Sequence, residues 1–218
     1  SLVEVFAYKQ QATAKLEELE QAEEKIEELQ LKIKNLESSL LEQASRIKHE
    51  REIAKAHLET AMQKELSFLN LPDSKFEVEL MNVPLHRFGT ETVAFSFTPN
   101  KGGKKIYIAE GASGGELNRL LLALKSILAG KEGIATLVFD EIDANIGGAT
   151  AVKIGERLKT LGEQIQVITI THFSQVAQFA DHHLRVFKQE IKGEIQTFIE
   201  CLTQDSRSSE LERMVGRQ

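Results

Sequence analysis

Thr136-Leu137-Val138-Phe139-Asp140-Glu141 is the stretch whose reading decides the fold. An apolar run without polar alternation reads as a strand covered on both faces, which means a parallel sheet flanked by helices. Downstream, Gln166-Val167-Ile168-Thr169-Ile170 repeats the pattern and ends in Thr171-His172. Between the two, Gly147-Gly148 opens a helical stretch over residues 149–161. Strand, helix, strand is the unit of an α/β sheet, in which both strands end on one edge and the chemistry sits outside their carboxyl ends. Asp140, Glu141 and His172 are therefore expected to face one crevice.

Upstream lies Ala112-Ser113-Gly114-Gly115-Glu116, followed by the apolar helical stretch Leu117-Asn118-Arg119-Leu120-Leu121-Leu122-Ala123-Leu124, which ends near Gly130. Two glycines between a Ser and a Glu at a helix start aim backbone N–H groups, a hydroxyl and the helix dipole at one point, which suits a phosphate. Ser113 and Glu116 equally form an S-x-x-E capping box, which satisfies the helix start without any ligand.

Further back, residues 1–71 contain neither Gly nor Pro and are dominated by Glu, Lys, Gln, Leu and Ala, so nothing interrupts a helix. Leu19, Ile26, Ile33, Leu40, Ile47, Ala54, Ala61 and Phe68 recur every seven residues, with Ala22, Leu29 and Leu36 as companions. That is a heptad seam. After Leu40 the companions move to Ala44 and Leu58, and Arg51 interrupts the stripe, which reads as a stutter. A helix of roughly 65 residues is about 100 Å long and needs a partner strand. The alternative is a long amphipathic helix lying across its own globular body. Asn70-Leu71-Pro72 marks the boundary, giving a coiled-coil arm over residues 1–71 and a globular part over residues 72–218.

In that part, residues 75–80 and 92–97 alternate as strands, with Pro84 and Gly89 between them, and a loop with Lys101, Lys104 and Lys105 follows. The loop reads as an ordinary solvated one. After His172, a short helix over residues 175–180 leads to a hairpin of residues 183–188 and 194–201, joined at Lys192-Gly193. A helical tail is expected from Ser209.

The 218 residues allow one or two domains, and 41% hydrophobic with 28% charged residues is ordinary for a soluble protein. The single cysteine, Cys201, excludes an intrachain disulfide framework and reads as a small buried hydrophobe in a reducing compartment. No signal peptide and no membrane-length apolar run is present, so the sequence reads as cytoplasmic. The net charge of −6 offers no general attraction to DNA.

Two carboxylates at the end of a buried strand divide labour naturally. Asp140 suits Mg²⁺, directly or through water, and Glu141 suits the water that attacks a γ-phosphorus. His172 has an imidazole able to donate to a phosphate oxygen. Each has a plain alternative, a polar exit from the core for the acids and a satisfied structural histidine for His172.

Taken together these residues resemble the ABC-type ATPases: residues 112–116 their signature motif, 136–141 their Walker B strand, His172 their switch histidine and Asp143 their D-loop. The longer stretches 112–119, 139–147 and 170–183, with Arg213-Met214-Val215-Gly216, resemble the carboxyl-terminal part of the RecN family, SMC-like ATPases of bacterial DNA repair. The resemblance implies an α/β fold, the carboxyl-terminal half of an ABC/SMC-type P-loop ATPase head carried on a long coiled-coil helix. It implies ATP and Mg²⁺ as ligands, with Asp140, Glu141 and His172 serving the nucleotide of their own head. Ser113, Gly114, Gly115 and Glu116 would reach the ATP of a second head by dimerisation. DNA as a partner and a nucleoid location come from the resemblance alone, and no membrane partner is expected.

One part departs from the pattern. No G-x-x-x-x-G-K-[ST] occurs, since Gly103-Lys104 and Gly130-Lys131 lack both the earlier glycine and the following Ser or Thr. In proteins of this type that loop lies in the amino-terminal half, across the coiled coil. The chain is thus expected to be a fragment or split product, partnered by its own amino-terminal half and inactive as an ATPase alone. The alternatives are a non-catalytic coiled-coil interaction fragment and the equivalent lobe of another SMC-type ATPase.

Overall fold

The computed structural model describes residues 2–110, 115–131, 133–140, 142–144, 146–191 and 193–216. Its elements run α1 (Leu2–Phe68), β1 (Lys75–His86), β2 (Gly89–Thr98), β3 (Ile106–Tyr107), α2 (Gly115–Leu128), β4 (Thr136–Asp140), α3 (Gly148–Gly162), β5 (Gln166–Ile170), α4 (Ser174–Ala177), β6 (Leu184–Ile191), β7 (Glu194–Cys201) and α5 (Gln204–Met214). They form a three-stranded sheet β1-β2-β3, a parallel pair β4-β5 and an antiparallel hairpin β6-β7. The chain separates into two compact units, residues 1–54 with 80–93, and residues 55–79 with 94–218.

In the first unit the uninterrupted helix follows from the missing Gly and Pro. The seam residues Leu19, Ile26, Ile33 and Leu40 remain between 49% and 55% exposed, so an apolar stripe lies open along α1. Arg51, which breaks the heptad, has a definite task. Its Nη2 donates to the Phe88 carbonyl at 2.9 Å, in the turn between β1 and β2. Lys48 beside it pairs with the buried Glu91 at 3.2 Å and donates to Asn82 at 3.2 Å. The interruption is where α1 stops presenting a seam and begins to carry the hairpin.

From Ala54, the last α1 residue of the first unit, onward into the second unit the seam changes register. Ala54 is exposed and Ala61 and Phe68 only half-buried, while Met62, Leu66 and Leu69 are fully buried. The buried stripe there runs one position on from the Ala61 and Phe68 register, and its residues pack on a globular core. α1 ends at Asn70, whose positive φ of 61° is the left-handed cap that Asn tolerates, and the Leu71 N–H closes back on the Leu66 carbonyl at 2.8 Å. The Asn70 side chain donates to Thr150 at 2.8 Å and accepts from Lys153 at 3.0 Å, tying the helix end to α3.

The strands are longer than the alternation indicates. Pro84 lies inside β1, where an edge strand tolerates its missing donor, and Gly89 opens β2. The basic loop is largely neutralised: Lys101 pairs with Asp73 at 3.0 Å, and Lys105 pairs with Glu79 at 2.6 Å and Glu77 at 3.3 Å. Lys75, paired with Glu77 at 2.7 Å, and then Lys105 hold the Glu77 carboxyl below its ordinary range, and Lys105 does the same for Glu79, with burial opposing in both. The tail helix starts at Gln204, earlier than expected, because Thr203 and Ser206 form a reciprocal capping box.

β4 and β5 are parallel in the register Thr136↔Gln166 to Asp140↔Ile170, as expected, but they are not covered on both faces. Leu137, Phe139 and Val167 on one face are half-buried, with α3 packed against β5, while Val138, Ile168 and Ile170 on the other are 64%, 47% and 58% exposed. An apolar run records that a strand is meant to be buried, and cannot record whether the covering layer belongs to the same chain. The β6-β7 hairpin repeats the pattern, with Phe187 stacked on Phe198 at 5.6 Å on one face and exposed Leu184, Val186, Ile195 and Ile199 on the other. Cys201 ends β7 on that open face and is exposed, which corrects its reading as a buried hydrophobe.

Candidate functional site

Three segments of the second unit meet where β4 and β5 end. The register pairs Asp140 with Ile170, so the residues following each strand leave side by side. Asp140 is exposed at this edge, and Ile142 and Asp143 turn inward and are fully buried. His172, just beyond β5, has a side chain 71% exposed. Glu141 lies outside the described residues, as do Ser113 and Gly114.

The turn after β4 is held by a buried acid. The Asp143 Oδ2 accepts a short hydrogen bond from the Thr171 hydroxyl, whose oxygen in turn accepts from the Phe173 N–H at 3.0 Å. Among the described residues the Asp143 Oδ1 is buried without a hydrogen-bond partner, and the Nδ1 of His172 stands 3.7 Å from it. Asp143 and His172 are thus adjacent through Thr171.

The third segment is the start of α2. A Cβ on Gly115 would strike the backbone carbonyl of Ala144, so the helix start approaches the turn after β4 more closely than any other residue type permits. Arg119, one turn along α2, donates from Nε to the Gly115 carbonyl at 3.3 Å and from Nη1 to the Leu69 carbonyl at 3.2 Å. Burial lowers its pKa, with the nearby Glu116 opposing. Glu116 itself is exposed in the first turn of α2. Sequence reading overlooked Arg119, because an Arg inside an amphipathic helix looks like a solvated one. It overlooked the Ala144 contact because nothing local in the chain encodes it.

The described residues therefore bring Gly115, Asp143, Ala144, Thr171 and His172 together, with Asp140 on the adjacent strand end. This edge brings together the start of α2, an exposed imidazole and an exposed strand-end carboxylate, a donor set suited to polyanionic phosphate with a divalent cation. Asp140 fits a single Mg²⁺ ligand position, and among the described residues no cluster of three or more metal-ligating side chains occurs. A surface depression lies at the opposite, amino-terminal ends of β4 and β5, lined by Gly130, Gly133, Gly162 and Gln164 among others, and has no part in this arrangement.

No protein-family model matches the chain. It is 38% identical over 181 residues to the DNA repair protein RecN of Rickettsia conorii, covering 83% of this chain and 33% of that protein. It is 32% identical to RecN of Vibrio cholerae over 98% of this chain and 39% of that protein. The chain thus spans a third or slightly more of the curated relatives it matches. Among solved structures it resembles the Smc head domain with a coiled coil and joint from Pyrococcus yayanosii, with a TM-score of 0.54 and 22% identity, covering 72% of this chain and 28% of that chain. A second likeness is the Smc head domain with an extended coiled coil, bound to the C-terminal domain of ScpA, from Pyrococcus furiosus, with a TM-score of 0.52, 20% identity and coverage of 72% and 37%. The chain is similar to RecN over most of its own length, and its fold resembles part of the Smc head structures.

Proposed function

We propose that this chain is the signature-motif and Walker B lobe of a RecN-like DNA-repair ATPase, completed by an amino-terminal half that carries the phosphate-cradling loop. The observation that carries the reading is the meeting of Gly115, Asp143 and His172 outside the carboxyl ends of a parallel strand pair. That is where open α/β sheets bind ligands. RecN relatives at 32–38% identity support the repair context.

In this reading Glu141 orients the water that attacks the γ-phosphorus, and His172 donates to a phosphate oxygen. Asp140 would hold Mg²⁺, which supplies neutralisation of the phosphate charge. Ser113, Gly114, Gly115 and Glu116 face the ATP of a second head, since the helix start offers donors and a favourable dipole but this chain has no G-x-x-x-x-G-K-[ST] of its own. The open faces of β4-β5 and β6-β7 and the bare seam of α1 support the same reading, because each is apolar surface that a missing half would cover. DNA strands or ends are the substrate on which head opening and closing would act.

The test is Glu141→Gln in the full-length protein. It is expected to bind ATP, hydrolyse it at least about 100-fold more slowly and accumulate paired heads, as loss of a positioned general base predicts. Normal turnover in that variant overturns the assignment. The exposed seam also favours a second role, a helix-pairing module. The purified chain, lacking the P-loop, is then expected to show no ATPase above background while pairing through residues 19–47.

A further inference from the structure

We propose that Asp143 is a positioning residue for His172, acting with Thr171 to hold the imidazole with its Nδ1–H toward the protein and its Nε2 toward the ligand. The inference rests on the ATPase reading for its consequence in turnover, and on this chain's own geometry for the orientation. Asp143 is fully buried in the turn after β4. A carboxylate in such a place requires partners for both oxygens, and leaving one unmade is costly. Oδ2 has the Thr171 hydroxyl. Oδ1 has no hydrogen-bond partner, and the His172 Nδ1 at 3.7 Å is the one basic nitrogen within 4.0 Å of it among the described residues.

The geometry selects a tautomer. A carboxylate oxygen is an acceptor only, so the ring atom facing it is favoured as a donor, and Nδ1 must carry the proton. Because the ring is 71% exposed, Nε2 is left on the open side. Which ring nitrogen engages a ligand is set by the hydrogen bond that the other one makes. Thr171 fixes the acid in turn: its hydroxyl donates to Oδ2 while accepting from the Phe173 N–H at 3.0 Å, so the carboxylate cannot rotate away without breaking a local turn. Movement of the turn after β4, which also backs onto Gly115 through the Ala144 carbonyl, would therefore reach the imidazole.

The direct measurement is the ¹⁵N and ¹³C signature of the His172 ring in the purified chain at a pH where the ring is neutral. The wild type is expected to show the Nδ1–H form. Thr171→Val, which keeps shape and removes the hydroxyl, and Asp143→Asn, which keeps shape and removes the charge, are each expected to shift the ring toward the commoner Nε2–H form, with the His183 signals unchanged. A wild-type ring in the Nε2–H form, or one unmoved by both variants, overturns the proposal. In the full-length protein the same variants are expected to lower kcat about 10- to 100-fold with KM for ATP nearly unchanged, the size of effect when the group orienting a functional histidine is lost. Unchanged kcat in variants whose ring has switched overturns the role in turnover. That outcome is distinct from failure of the ATPase reading, which Glu141→Gln reports.

Discussion

Gly115→Ala tests whether the start of α2 and the turn after β4 form one packed unit. The added Cβ would fall well inside contact distance of the Ala144 carbonyl oxygen, a backbone atom that cannot swing aside as a side chain can. Overpacking of this kind costs about 1–3 kcal/mol. Replacing Gly by Ala in a helix returns up to about 1 kcal/mol. The net expectation is a loss of roughly 1–2 kcal/mol, which at an m-value of about 2 kcal/mol/M lowers the urea midpoint by roughly 0.5–1 M. The matched control is Gly162→Ala, at the end of α3, where nothing lies within 4 Å of the new Cβ and the change is expected to stay within about 0.5 kcal/mol. Hydrogen exchange by mass spectrometry should place the loosening of Gly115→Ala in α2 and in residues 142–144, with α5 unaffected. If the two variants melt together and exchange alike, the close approach of Gly115 to Ala144 is not a constraint on the fold, and the coupling of these segments falls with it.

Acid should weaken the tail helix through Glu210. Glu210 is 5% exposed and paired with Arg213 at 2.7 Å, which holds its carboxyl below the ordinary range while burial opposes. A depressed carboxyl contributes stability that is full above its unfolded pKa of about 4.3 and is lost as the pH falls through the folded value. Urea melts of the wild type from pH 6 to pH 3 are therefore expected to fall more steeply than those of Arg213→Ala, and parallel slopes would refute the pairing. Charge reversal at Lys101, Lys104 and Lys105 should leave the salt slope of DNA binding by the full-length protein unchanged, because Lys101 and Lys105 already have carboxylate partners. A slope reduced by one or more would assign the loop to a DNA contact.

What the chain itself determined is everything carried by local pattern. Sixty-seven residues of helix follow from the absence of Gly and Pro, and the heptad seam from its spacing. The parallel pair β4-β5 follows from two apolar runs divided by a helical stretch, and the shared edge of their strand ends was legible because a parallel register must deliver both to one side. What only the tertiary structure decided is what depends on contacts between distant residues. Arg51 looks like an error in the stripe until the Phe88 carbonyl is found opposite it. Asp143 looks like one more loop acid until burial and Thr171 set it against His172. The bare faces of β4-β5 and β6-β7 belong to the same class, since hydrophobicity records the need for cover and is silent on its source. The physical reason is common to all three: periodicity and propensity act over a few residues, whereas desolvation and hydrogen-bond satisfaction are settled only once remote segments have been brought within a few ångströms.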